Sequence, residues 1–257
     1  MKWRPLLAVL GVFVLVAVGL AIWRANLKPP PALQPPQLPL SFDQSTPAAK
    51  VELKIDPKLK PYPVLVRRLY RSGVQELRSF TAQAQQDQAR LSAAGLPVRP
   101  YERSIAWSLA VATPNLVSVR QAWFDDTGGA HPNHGSKGLL WDPQGEREVA
   151  RGELFRPDAD QGRLDGRLCR AIAAEKGRRE GAVFDPLAWP CPKWADADFV
   201  LAPSSAPGKI GGLVFLFDPY SIGPYVEGDW AIAVPQAEFR AALAQQWAGE
   251  FAGAPAA

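Results

Sequence analysis

From Pro5 to Trp23 the chain passes through nineteen positions without a charged residue, built mainly of Leu, Val, Ala, Gly, Ile and Phe. A run of that length crosses the hydrocarbon core of a bilayer as one helix, and it has no polar face that would fit it to a globular interior. A cleaved signal peptide would end at a small-x-small site before a polar mature segment. The nearest such triplet, Ala17-Val18-Gly19, lies inside the run. The expectation is therefore an uncleaved, single-pass anchor over 5–23. Lys2 and Arg4 before it and Arg24 and Lys28 after it weakly favour a cytoplasmic N terminus. That leaves 1–4 as a stub too short to fold and places the rest of the chain on the periplasmic or outer side of the inner membrane.

Six prolines fall between Pro29 and Pro39, and 24–41 reads as a tether in extended polyproline II at roughly 3 Å per residue. Charge follows the same division. Residues 1–63 carry eight Lys and Arg against three acids, whereas 64–257 carry twenty-one against twenty-two, a net charge of −1. The basic body of a nucleic-acid binder is absent, and no nucleic-acid partner is expected.

The body opens with Val51, Leu53 and Ile55 alternating along a strand, and Leu65, Leu69, Val74, Leu77, Phe80 and Ala84 then recur at helical spacing until Gly95 and Pro97. Arg67, Arg68, Arg71 and Arg78 read most simply as the solvated face of that helix. Tyr101–Ala112, Leu116–Phe124 and Lys137–Trp141 read as a meander of strands, followed by a helix between Asp160 and Arg179 with Leu164, Leu168 and Ile172 as its apolar stripe. Phe199–Leu201, Gly212–Phe217 and Tyr225–Val234 read as further strands. A final helix is expected from Pro235, with Phe239, Leu243, Trp247 and Phe251 four apart on one face. The fold class expected is α+β, a mostly antiparallel sheet with packed helices.

The two cysteines, Cys169 and Cys191, have neither CxxC spacing nor a histidine at metal-ligand spacing. In an oxidising compartment a disulfide is expected, the alternative being two buried thiols that never meet.

Both histidines lie in one polar, glycine-rich stretch, Phe124-Asp125-Asp126-Thr127-Gly128-Gly129-Ala130-His131-Pro132-Asn133-His134-Gly135. Glycines allow positive φ and close backbone approach, while Asp125, Asp126 and Asn133 can bond neighbouring amides and fix a compact turn. His131 and His134 stand at a spacing that would suit a metal on a helix, yet Pro132 and the glycines argue for a turn, and no third ligand is placed by sequence unless Asp125 or Asp126 supplies it. No cofactor is expected. A second polar landmark runs from Asp218-Pro219-Tyr220 to Pro224-Tyr225, where Tyr220 and Tyr225 offer aromatic faces to a sugar or a protein.

These residues carry a resemblance. Thr127-Gly128-Gly129-Ala130-His131, Glu153-Leu154-Phe155 and the stretch from Phe215-Leu216-Phe217-Asp218 to Pro224-Tyr225 resemble the RsiV/PdaC-type extracytoplasmic module. In that family a smaller N-terminal unit, here 42–122, precedes a C-terminal unit, here 123–257. The resemblance implies a cell-envelope binding module, which senses lysozyme in the anti-sigma factor and accompanies a peptidoglycan deacetylase domain in the other. Four residues before the span cannot hold a sigma factor, and little chain follows Phe251 to form a deacetylase. What is expected here is the recognition module alone. Its partner would be a lysozyme-like muramidase or a peptidoglycan fragment, bound through Asp125, Asp126, Thr127, Gly128, Gly129, His131, Asn133, His134, Tyr220 and Tyr225. The alternative is a metal-assisted hydrolase or deacylase of a wall component using His131 and His134.

Overall fold

The computed structural model describes residues 38–256. The expected stub, the anchor and the tether up to Gln37 lie outside these residues; among the described ones, no helix is long and apolar enough to cross a membrane.

Strands β1 (Ser41–Ser45), β2 (Ala49–Ile55), β3 (Tyr101–Ala112), β4 (Val117–Asp126), β5 (Asn133–Asp142) and β6 (Arg147–Val149) form one sheet in chain order. Strands β7 (Asp198–Pro203), β8 (Ile210–Phe217) and β9 (Trp230–Pro235) form a second, antiparallel sheet. The larger sheet is mixed, because β2 and β3 run parallel while its other neighbours are antiparallel. Between β2 and β3 lies α1 (Pro63–Ala93), and a helical crossover of this kind is what returns the chain to the same end of a sheet. The helix stops as its sequence predicts: Gly95 takes φ +72°, and the Leu96 N–H bonds back to the Leu91 carbonyl. Strand β1 is an edge strand with mostly exposed side chains, which is why it carries no apolar signal of its own. The boundary drawn at 122/123 falls within β4, which is paired to β3 and β5 on both sides of it.

The period of two along a strand divides apolar side chains between two cores. Val51, Leu53, Ile105 and Trp107 pack against Leu65, Leu69 and Leu77 of α1, joined by Val117, Val119 and Trp141. Leu140, one residue before Trp141, points the other way. It belongs to the second core, with Phe199 and Phe215 of the smaller sheet, Leu168 and Ile172 of α2 (Gln161–Lys176), and Trp194. The two sheets meet where Gly138 leaves room. A β-carbon there would overlap the Phe199 carbonyl oxygen, and one strand over, the Ser118 hydroxyl accepts the Leu201 N–H at 3.0 Å.

Two expected elements differ. The final helix is a succession of short turns: 3-10 turns at Gln236–Glu238 and Arg240–Ala242, then α3 (Gln245–Ala248). Leu243 and Ala244 are extended, because this segment bridges to 154–156 through Arg156 N–H to the Ala242 carbonyl and Ala244 N–H to the Leu154 carbonyl. Phe239, Leu243, Trp247 and Phe251 are nonetheless all buried in the second core, so the four-residue spacing reports turns wrapped around a core rather than one helical face. Strand β9 begins at Trp230, not Tyr225; Tyr225–Glu227 is a 3-10 turn, and Gly228 follows it with φ +68°.

Cys169 and Cys191 are bonded, tying α2 to the segment that leads into Trp194. Closing a 22-residue separation stabilises the fold by roughly 3 kcal/mol in the chain-entropy model. Urea unfolding of a Cys169→Ala, Cys191→Ala variant is expected to show a loss of that size, and an unchanged midpoint would remove the bond from the stabilising interactions. Gly138→Ala is expected to cost about 3 kcal/mol or more, since rigid backbone rather than a movable side chain occupies the space; a native-like melting temperature would show that the sheets are not so closely apposed.

Candidate functional site

Strands β4 and β5 pair up to Asp125–Asn133, leaving 127–132 as the hairpin loop. Asp126 shapes it. Its Oδ1 accepts the Gly128 N–H at 2.9 Å, allowing Gly128 its φ of +86°, and also accepts from Arg99 at 2.6 Å. The Arg99 bond, and after it the Gly128 amide, hold the Asp126 carboxyl below its usual range. Asp125 instead points to the α1 side of the sheet, where Arg103 bonds it at 2.6 Å while lying over the Phe80 ring. Asn133 is its exposed cross-strand partner, and Thr127 and Gly129 are exposed at the tip.

The opposite side of the hairpin carries the aromatic chemistry. The second landmark folds onto it across the intervening sequence. The rings of His131 and Tyr225 stack with centroids 4.0 Å apart, and His134 meets Tyr225 edge-on at 6.0 Å. Tyr220 adds a third face, 5.5 Å from Tyr225 and 6.3 Å from His131. The Tyr225 hydroxyl donates to the Pro132 carbonyl at 2.9 Å, and the same oxygen lies 3.0 Å from His131 Nδ1. His134 Nδ1 lies 3.1 Å from Asp229 Oδ2. Asp218 Oδ1 accepts the Ser136 N–H at 2.8 Å, and a β-carbon at Gly135 would overlap the same carboxylate. Glycine at 135 is thus explained by close approach rather than by turn geometry.

Tyr220 stands out within this group. It follows Pro219 in a turn closed by Ser221 N–H to the Asp218 carbonyl, and its φ is +70°. Left-handed backbone costs a residue with a β-carbon about 1–2 kcal/mol, yet the side chain stays 55% exposed and so recovers little of that by burial. From Phe124, the cross-strand neighbour of His134, a cleft of about 340 Å³ extends past Ser104 and Glu102 toward Lys50, Glu52 and Asp43.

The 225–229 turn is held from below. Lys176 is 1% exposed, and its ammonium bonds Glu227 Oε2 at 2.8 Å and the Val183 carbonyl at 3.1 Å. Arg179 donates to the Glu227 carbonyl at 2.8 Å and lies 3.4 Å over the Trp230 ring. Sequence patterning identified none of Asp229, Lys176, Glu227 or Arg179 as part of a site. A basic residue in the last turn of a helix is commonplace, and nothing local marks its partner some fifty positions on. His131 and His134 both border Tyr225, and among the described residues no three of His, Cys, Asp and Glu stand together as a metal ion requires. The structure thus gathers His131, His134, Tyr220 and Tyr225 and leaves Asp125 and Asp126 in structural ion pairs.

The sequence matches no protein-family model and no curated protein. Among solved structures, the chain is similar to a member of the DUF3298 family from Bacteroides fragilis NCTC 9343, with a TM-score of 0.58, 18% identity, and 82% of this chain and 94% of that one covered. It is also similar to a DUF3298 family protein from Pseudomonas aeruginosa PAO1, with a TM-score of 0.55, 15% identity, and coverage of 84% and 94%. These likenesses are likenesses of fold.

Burial pushes the Asp218 carboxyl above its ordinary range; the Ser136 amide opposes this, while Asp229 and Asp198 add like charge. The folded protein therefore holds this proton more tightly than the unfolded chain does. The charged form costs stability above the raised folded value, and the cost fades as pH falls through that value toward the ordinary carboxylate range. Asp218→Asn keeps an acceptor for Ser136 and is expected to be at least as stable as the native protein at neutral pH, with the difference shrinking on acidification. Urea midpoints of both proteins across that range check this; a difference that grows on acidification would contradict it.

Proposed function

We propose that this chain is a recognition module of the cell envelope, held at the membrane by its 5–23 segment with the body facing the periplasm or cell exterior. Its ligand, a lysozyme-like muramidase or a peptidoglycan fragment, is taken to seat on the His131, Tyr220 and Tyr225 rings. The observation that carries this reading is Tyr220: a half-exposed aromatic kept at positive φ beside two further rings. Backbone strain at an exposed aromatic is a marker of function, because folding alone would favour glycine or asparagine there. The chemistry around it supports the same reading. Stacked rings offer contact area at low entropic cost, and Asp218 and Asp229 beside them offer acceptors to sugar hydroxyls or to the basic side chains of a protein. The resemblance of the two landmarks to an envelope-sensing family supplies the ligand class.

Calorimetry of the purified chain against lysozyme and against muropeptides tests the proposal. Binding of one of them is expected. Tyr225→Ala is expected to weaken it about thirtyfold, the size of an interface hot spot of about 2 kcal/mol. Tyr220→Asn, which suits positive φ, is expected to leave thermal stability within about 1 kcal/mol of native while weakening binding by a similar factor. If the native chain binds neither ligand, or if both variants bind as it does, the reading is wrong.

A further inference from the structure

The outward face of α1 is basic along one line. Arg67, Arg71 and Arg78 are exposed and recur at i, i+4 and i+11, which aligns them over about 16 Å of helix. The positions that continue the line, Gln75, Ala82, Gln85 and Ala89, are exposed and uncharged. The two acids of the helix are turned to its flanks and engaged: Glu76 lies 3.6 Å from Arg103, and Asp87 accepts from Arg90 and Gln83. Arg68, beside the row, is paired with Glu148, whereas among the described residues neither Arg67 nor Arg71 has a carboxylate within ion-pair distance, and Arg78 lies over the Phe42 ring at 5.9 Å. Lys58 and Lys60 are exposed just before the helix. The body as a whole carries −1 over 64–257, so this concentration of positive charge is local.

A straight row of arginines with no interspersed carboxylate complements a flat anionic surface. The sequence already points to one through its uncharged run at 5–23. Orientation supports the match. Helix α1 covers one face of the six-stranded sheet, whereas Phe124 and His134 lie on the other by strand register. We infer that the Arg67–Arg71–Arg78 face of α1 docks on the anionic phospholipid headgroups of the membrane, turning the His131–Tyr225 cluster away from the bilayer.

The full chain in nanodiscs tests this. Because the two native cysteines are bonded to each other and no free thiol exists, an Ala82→Cys variant takes an environment-sensitive fluorophore at one place, one turn beyond Arg78. Phosphatidylglycerol-containing discs are expected to bring the label into the headgroup region, pure phosphatidylcholine discs are not, and added salt is expected to release it. Near an anionic surface each basic residue strengthens association about fivefold, so Arg67→Gln, Arg71→Gln, Arg78→Gln together should lower the docked-to-free ratio about a hundredfold, while the corresponding lysine variant keeps it. The salt and headgroup comparisons use native arginines and decide the matter even if the glutamine variant folds poorly. A label signal indifferent to lipid charge, or a folded glutamine variant that docks like the native chain, overturns the inference. So does binding of added polyphosphate with no response to phosphatidylglycerol, which would reassign the row to a soluble polyanion.

Discussion

The contact on which the architecture turns is the closure of the small sheet onto the large one, with the Phe199 carbonyl seated over Gly138 and the Leu201 amide donating to Ser118. Strand backbones at the edge of a sheet need partners for their polar groups, and here a side-chain hydroxyl from the facing sheet supplies one inside an otherwise apolar core. Once that distance is set, much else follows. Strand β8 ends at Phe217, the next residue bonds the Ser136 amide, and the turn behind it lies against the β4–β5 hairpin. Two stretches separated by some ninety residues become one surface without a long loop being spent on either.

The buried Lys176–Glu227 pair plays a matching part on the far side of the cluster. Two charges withdrawn from water repay their desolvation poorly unless further hydrogen bonds complete them. The Val183 carbonyl completes the ammonium and the Trp230 ring lies near it. Such a pair is a weak source of stability but a strict constraint on position. It fixes where Tyr225 and Asp229 emerge from a turn that has little apolar anchorage of its own.

Elements with a clear period were legible from the sequence: the alternation in β2, β3 and β9, the apolar stripes of α1 and α2, and the Gly95 stop. So was the pairing of the two cysteines. The parallel partnership of β2 and β3 was not, because alternation shows which face of a strand is buried and says nothing of its neighbour. Phe239, Leu243, Trp247 and Phe251 misled for a related reason. A chain that makes one short turn after another around a core returns an apolar residue inward about as often as a helix does. At the candidate site, composition pointed to His131, His134, Tyr220 and Tyr225. The positive φ of Tyr220 had no sequence signature, since Pro-Tyr-Ser does not advertise a left-handed residue, and Asp229 and Arg179 are assigned only by distance in space.

The segment from Phe239 onward has a bearing on how the body is made. Asn115, in the turn between β3 and β4, bonds Glu250 across 135 positions, Ile210 bridges to Phe251, and the Ala256 amide reaches the Pro203 carbonyl. Val111, Leu116 and Leu140 share a core with Trp247 and Phe251. Contacts of such high order are made late. A chain emerging from the N-terminal end can assemble α1 against its own side of the large sheet early, but the reverse side stays uncovered until α2 and the smaller sheet have been made, and the core beneath them is completed only by residues 239–256. An interval with an exposed apolar sheet face is therefore built into the biogenesis of this body.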